Sequence, residues 1–136
     1  MATIKLNTGE VTYELKDESG AHIGEIRFNP ADFDLIKRAE AVEKFFTEYE
    51  IPDALDLESF FACSDEIKKQ FDYLLNRPVS EQLFAVCNPL TLLADGTYYF
   101  TQLLTVIMDL VNTETKKRIL ASEKRVSAAV AEITGE

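Results

Sequence analysis

The sequence has few of the residues that carry enzymatic or metal chemistry. It contains no Trp and one histidine, His22, which has no Ser or Cys beside it in a nucleophile setting. Its two cysteines, Cys63 and Cys87, form no CxxC or His/Cys cluster, so neither zinc nor redox chemistry is indicated. P-loop, dinucleotide-binding, nucleophile-elbow and calcium-loop patterns are also missing. The sequence therefore predicts no enzyme, with no catalytic residue, no cofactor and no metal.

Basic residues are also scarce. The 136 residues include 14 Lys and Arg against 24 Asp and Glu, a net charge of −10. This balance argues against binding to nucleic acid or to an anionic membrane, since both require positive charge. The charge is uneven: residues 114–136 hold five basic and four acidic residues and carry +1, so residues 1–113 carry −11.

Long apolar runs are missing as well. The most apolar window, Leu103–Val111, is too short to span a bilayer and contains Asp109. The first residues have no long apolar segment of the kind found in signal peptides. A soluble, cytoplasmic protein is the expectation.

The most informative stretch that is present is Gly24–Phe33. Ile26 and Phe28 alternate with charged residues, the period of a half-buried strand. Asn29 is a favoured N-cap residue, and Pro30 suits the first position of a helix. The stretch predicts a strand that ends at Phe28 and a helix that begins at Pro30.

Periodicity extends this reading to an α+β fold in a single domain, residues 1–136. Three short strands are expected to form an antiparallel β-meander packed on a helical body, because such a sheet is not stable alone. In the second of the helices expected below, which runs from about Asp56 to Asn76, Ser64–Glu66 either marks a break or lies within the helix. The expected strands are Thr3–Leu6, Val11–Leu15 and His22–Phe28, within residues 1–29. The expected helices run from Pro30 to about Glu50, from about Asp56 to Asn76, and from a cap at Ser80, within residues 30–97. A long C-terminal helix from Tyr98 to about Thr134 follows, within residues 98–136.

Three leucines lie in an apolar loop before this last helix. Leu90, Leu92 and Leu93 are unusual in a connection between helices. They either fold onto the core or form an exposed contact site, and they are candidate protein-binding residues.

The last helix is too long for a compact domain of this size. Thirty-odd residues give a rod of roughly 50 Å. Beyond Asn112 its apolar residues thin to a stripe, so this half either projects, bends back, packs on another subunit, or is a frayed, solvated end. The stripe supplies the other candidate protein-binding residues: Ile119, Val126, Val130 and Ile133.

The ordered motifs together resemble the tail assembly chaperones of long-tailed (siphovirus-type) phages and prophages of Gram-positive bacteria. The shared features are a β-meander that closes in Gly24-x-Ile-x-Phe-Asn-Pro-x-Asp32, a helix that begins Phe33-Asp-Leu-Ile-Lys-Arg38, and the segment Phe84-Ala-Val-Cys-Asn-Pro-Leu90. An aromatic-rich helix, Tyr98–Val111, and a Lys/Arg-containing helical tail follow. The tail departs from the family pattern, because it is less basic and has Glu132 and Glu136 near its end.

The resemblance implies a non-catalytic chaperone in the cytoplasm of a bacterial host. Such a protein self-associates and coats the aggregation-prone tape-measure protein until tail-tube subunits displace it, so it is absent from the mature virion. Two alternatives remain open. One is a structural tail-completion or connector subunit of the virion, and the other is a small protein-binding regulator.

Overall fold

The computed structural model describes residues 1–53 and 55–135, and within them it has an α+β architecture. A two-stranded antiparallel sheet is followed by four helices, the last of which is much the longest. The strands are β1 (Val11–Lys16) and β2 (His22–Phe28). The helices are α1 (Phe33–Glu48), α2 (Leu57–Leu75), α3 (Ser80–Leu83) and α4 (Tyr99–Thr134).

The two strands form a hairpin with one buried face. Tyr13 lies opposite Ile26 in the register, and the rings of Tyr13 and Phe28 are 5.2 Å apart. Ile26 and Phe28 are buried, as their alternation with charged residues predicted. A carboxylate closes the turn, since Asp17 Oδ1 accepts a hydrogen bond from the backbone N–H of Ala21 at 3.0 Å.

The third strand of the expected meander is not confirmed. Thr3–Leu6 has no strand partner in the described chain, and Ile4 and Leu6 are largely exposed. Alternating apolar residues suit an extended chain, but they supply no partner for its backbone. The first backbone group that is tied to the helical body is the Gly9 carbonyl, which accepts a hydrogen bond from Arg118 Nη1 at 3.1 Å.

The strand-to-helix junction also differs from the prediction. Asn29 does not cap a helix at Pro30; its Oδ1 instead accepts from the backbone N–H of Ala31 at 2.9 Å and closes a turn. Asp32 is the N-cap, because its Oδ1 accepts from the backbone N–H of Asp34 at 3.0 Å. Asn favours turns and caps alike, so the local pattern did not distinguish the two starts.

Helix α2 begins where the sequence predicted and runs without a break. Asp56 accepts from the backbone N–H of Ser59 at 3.3 Å as the N-cap, and Asn76, at φ +53°, ends the helix in the left-handed conformation. Ser64 is buried within it. Its hydroxyl oxygen accepts from Asn88 Nδ2 at 2.8 Å, so Ser64 ties α2 to the loop before α4 instead of starting a new helix.

Helix α3 is capped from a distance. The prediction placed Ser80 as its N-cap, but Ser80 is the first helical residue. The carboxylate of Asp72, near the end of α2, accepts from the backbone N–H groups of Val79 and Ser80 at 2.9 and 2.7 Å. This contact fixes the corner between the two helices.

One apolar core joins the sheet to the helices. Aromatic pairs connect its parts: the Phe46 and Phe100 rings link α1 to α4 at 5.1 Å, and the Phe71 and Phe84 rings lie 5.2 Å apart. The buried residues of α4 all lie in its first half, so the second half of the helix is left exposed on the surface. The buried apolar residues are Ile26, Phe28, Leu35, Val42, Cys63, Ile67, Phe71, Leu74, Leu75, Val79, Leu83, Phe84, Leu90, Phe100, Ile107 and Val111.

Candidate protein-interaction surface

The first half of α4, Tyr99–Arg118, is the part that packs on the body, and we call it the proximal half. Phe100, Ile107 and Val111 are buried in the core. Their spacing of seven and four residues places them on one face of the helix. The proximal half is therefore an ordinary amphipathic core helix.

Polar contacts tie the end of the proximal half to the start of the chain. Thr115 Oγ1 donates to the Pro30 carbonyl at 3.3 Å. Three residues later, Arg118 Nη1 donates to Asn29 Oδ1 at 2.9 Å and to the Gly9 carbonyl at 3.1 Å. In the sequence Arg118 is one of five basic residues in 114–136, and no local pattern marks it as an anchor.

The second half of α4, Ile119–Thr134, which we call the distal half, projects beyond these contacts. The whole helix has 36 residues, so it is about 54 Å long, against about 37 Å for the diameter of a compact chain of this length. Every residue from Ile119 to Val130 is exposed. Within the described residues this half does not bend back onto the body of its own chain.

The four predicted contact residues of the distal half lie on one exposed face. Ile119, Val126, Val130 and Ile133 are 44%, 60%, 51% and 85% exposed, and we call them the distal stripe. Their spacings of seven, four and three residues keep them within a narrow sector of the helix surface. Leu120 is also exposed, although it is not among the predicted contact residues. It follows Ile119 in the sequence and therefore lies about 100° around the helix from it, outside the sector of the distal stripe.

The loop leucines divide between core and surface. Leu90 is 3% exposed and belongs to the core, so it is not accessible as the contact residue that was predicted. Leu92 is 64% exposed, and Leu93 is half-buried. A small hairpin holds them, because the backbone N–H of Leu93 donates to the Thr97 carbonyl at 2.8 Å. Of these three leucines, Leu92 alone presents a largely free apolar side chain.

A groove that the sequence did not predict lies between α1 and the proximal half of α4. Its volume is about 480 Å³, and its apolar lining comes from half-buried side chains of both helices. Three carboxylates stand around it, and in residues 1–53 and 55–135 none of the three is in a salt bridge. We call it the acidic groove; it is lined by Ile36, Ala39, Glu40, Glu43, Leu104, Thr105, Met108, Asp109 and Asn112.

A second hollow lies where the distal half begins. Phe33, Thr115, Ile119 and Ser122 are among the residues that line its 340 Å³. Phe33 is the first residue of α1, and its ring is mostly exposed. The apolar surface of the distal stripe therefore continues onto the start of α1.

Hydrogen bonds and burial shift the pKa values of several groups in the described chain. His22 Nδ1 lies 2.9 Å from Glu14 Oε2 on the hairpin, and the hydrogen bond from His22, followed by that from Lys16, lowers the pKa of Glu14. Burial raises the pKa of the Cys63 thiol. Within residues 1–53 and 55–135, no three His, Cys, Asp or Glu side chains are grouped so that they can hold a metal ion.

In the part of the chain that the structure describes, no helix combines the length and the apolar character needed to cross a membrane. Comparison with known proteins gave no match to any protein-family profile, curated protein or solved structure.

Proposed function

We propose that this protein is a non-catalytic tail assembly chaperone that binds and solubilises a phage tape-measure protein. The proposal rests on the ordered motifs of the sequence and on one structural observation, the exposed distal stripe on a projecting helix. The chaperone acts in the host cytoplasm and leaves before the virion is complete. No residue has a catalytic role in this proposal.

The physical basis is the contact between amphipathic helices. A long helical client exposes apolar stripes, which aggregate unless another apolar stripe covers them. The distal stripe has the spacing of such a contact, and the net charge of −10 keeps a coated complex dispersed. Many copies along one client chain gain from avidity, so each single contact can be weak.

Co-expression with a candidate tape-measure protein tests the proposal. Replacing the distal stripe (Ile119, Val126, Val130 and Ile133) by Ser removes its apolar surface but leaves the core intact. We expect the tape-measure protein to become insoluble with this variant and to stay soluble with the unmodified chain. The measurement is the soluble tape-measure fraction after centrifugation.

The matched control carries four Ser replacements on the opposite side of the distal half and the turn before it, at Lys117, Ala121, Lys124 and Ala128, all of which are exposed. It should solubilise the client normally. Full solubilisation by the stripe variant, with its circular dichroism unchanged, would contradict the proposal. Recovery of the protein from purified particles would favour the tail-completion or connector role instead, and recovery from lysates alone favours the chaperone.

A further inference from the structure

We infer that the acidic groove binds a basic amphipathic helix of a different protein. The apolar side chains of that helix lie on the groove floor, and its Lys or Arg side chains pair with the carboxylates around it. This inference concerns a different surface from the distal stripe, goes beyond the proposed function and does not depend on it. It rests on the shape of the groove, its apolar floor and the charges on its two walls.

The groove is a preformed trough between two antiparallel helices. The rings of Phe46 and Phe100 lie 5.1 Å apart near the end of α1, and Thr115 Oγ1 donates to the Pro30 carbonyl at 3.3 Å just before its start. These two contacts fix α1 and α4 side by side, with the groove between them. Its walls span residues 36–43 and 104–112, so each is about two helical turns long. A trough of this length matches about two turns of a third helix.

The floor of the groove is apolar and only half-buried. Each helix contributes two apolar residues on one face: Ile36 and Ala39 from α1, and Leu104 and Met108 from α4. An amphipathic helix that binds in a groove uses apolar residues three, four and seven positions apart, which this floor can cover. The thioether chain of Met108 adapts its shape to such a partner.

The two walls carry opposed carboxylates without a basic partner. Glu43 on α1 and Asp109 on α4 are exposed, and residues 1–53 and 55–135 supply no salt bridge to either. Neither has a Lys or Arg three or four residues away, the distance at which helical side chains pair. The third carboxylate, Glu40, does have such neighbours in Lys37 and Lys44, so its charge is partly balanced.

These charges select the kind of helix that fits. A wholly apolar helix would bury carboxylates without compensation, which is costly, and an acidic helix would be repelled. A helix with Lys or Arg beside its apolar residues satisfies both parts of the surface. The distal half of a second copy does not, since Glu123 and Glu132 balance Lys124 and Arg125, and the whole chain carries −10.

A synthetic peptide of stated design tests the binding. Its leucines recur every three to four residues over about four turns, and its other positions are Lys and Ala. We expect saturable binding of the fluorescein-labelled peptide to the full-length protein in fluorescence anisotropy. A peptide with Glu in place of each Lys, and one of the original composition with its leucines spread around the helix, should each bind about tenfold or more weakly.

The two methionines of the chain locate the peptide. With ¹³C-methyl methionine the protein gives two methyl signals, from Met108 on the groove floor and from Met1, which is exposed and is not among the groove residues. We expect the Met108 signal to shift with the same saturation as the anisotropy, while the Met1 signal stays. This measurement uses the unmodified chain and needs no variant to fold.

Matched charge variants test the carboxylates. E43Q/D109N should weaken binding of the Lys peptide by about tenfold or more. The control E58Q/D65N removes the same two charges from exposed positions on α2 and should weaken it by less than about threefold. The variant with four Ser residues in the distal stripe should bind the peptide like the unmodified chain.

Several results would overturn the inference. They are no binding of the Lys peptide at the highest soluble concentration, binding without a shift of Met108, equal binding of the peptide with spread leucines, or equal losses in the two charge variants. Displacement of the peptide by spermine at equal total charge would also do so, because it would show that charge alone is recognised. Since the probe is a synthetic peptide and the groove is separate from the distal stripe, such a failure leaves the tape-measure test unaffected.

Discussion

The two halves of α4 have the same secondary structure but different surroundings. In the proximal half Ile107 is 3% exposed, whereas in the distal half Ile133, the same residue type, is 85% exposed. The change occurs at Arg118, the last residue of the helix with a polar tie to the strand side of the body. Helix formation therefore does not require packing in this protein. The last four turns of α4 are helical but do not pack on the body.

Composition explains how the distal half is helical without packing. It has no Gly or Pro before Gly135, and Ala121, Ala128, Ala129 and Ala131 are strong helix formers. Isolated helices of this length are marginal in water, so the proximal half acts as the preformed nucleus from which the distal half extends. A second helix on the distal stripe would stabilise it further.

The largest expected effect is the difference in stability loss between two Ile→Ala substitutions, one in each half of α4. Ile107→Ala removes buried methyl groups and leaves a cavity, so the free energy of unfolding should fall by about 2–4 kcal/mol. Ile133→Ala should change it by no more than about 0.5 kcal/mol. Urea unfolding, followed by the circular dichroism of the whole chain, measures both.

Equal losses in the two variants would contradict this contrast, because they would show that the distal half is buried in the free protein. Dilution distinguishes two reasons for a large loss at Ile133. If the loss falls as the protein is diluted, Ile133 is covered by a second copy, and if it does not, the helix bends back onto its own body.

Arg118 should give the next largest effect. Arg118→Ala removes two hydrogen bonds, to Asn29 Oδ1 and to the Gly9 carbonyl, which tie the end of the proximal half to the start of the hairpin. We expect the free energy of unfolding to fall by about 1–2 kcal/mol, in the range for hydrogen bonds to a charged donor. Lys117→Ala, one residue earlier and exposed, should be close to neutral.

Hydrogen exchange gives a second readout of the same boundary. In the Arg118 variant, the amides around residues 8–10 should exchange faster, while those of β2 stay protected. An unchanged exchange rate in residues 8–10 would show that Arg118 does not anchor this segment.

The sequence predicted those parts of the fold that depend on local periodicity. The hairpin strands, the start of α2 at Asp56 and the extent of α4 agree with the expectation to within about one residue. The parts that depend on distant partners were missed. Asp72 caps α3 from eight residues away, and Asn29 uses its side chain in a turn and in a contact with Arg118. Such choices are made by tertiary contacts, which override local preference.

The candidate surface was likewise predictable only in part, because some of its features follow from local sequence and others need the folded chain. The exposure of the distal stripe follows from simple geometry, because the helix is longer than the body that it packs on. Leu90 and Leu92 have similar local context, yet one is buried and the other exposed, because only the folded loop decides which side faces the core. The acidic groove was not foreseen, since it needs α1 and α4 side by side.

The smallest expected effect concerns the turn that leads into the proximal half. Asp95 Oδ1 accepts from Thr97 Oγ1 at 2.6 Å and from the Thr97 backbone N–H at 3.0 Å, and these hydrogen bonds lower the pKa of Asp95 below its ordinary value of 3.8. A carboxylate whose pKa falls on folding stabilises the fold above the pKa of the unfolded chain, and this contribution is lost as the pH drops through the folded pKa. Asp95→Ala should therefore lower the free energy of unfolding at pH 7, by less than Arg118→Ala does, and the difference from the unmodified chain should shrink below pH 3.8. Glu132→Ala, in the exposed distal half, is the control and should leave stability nearly unchanged at pH 7. A destabilisation by Asp95→Ala that stays constant down to the acid range would assign the effect to lost packing at the turn instead of to the hydrogen bonds of the ionised Asp95 carboxylate.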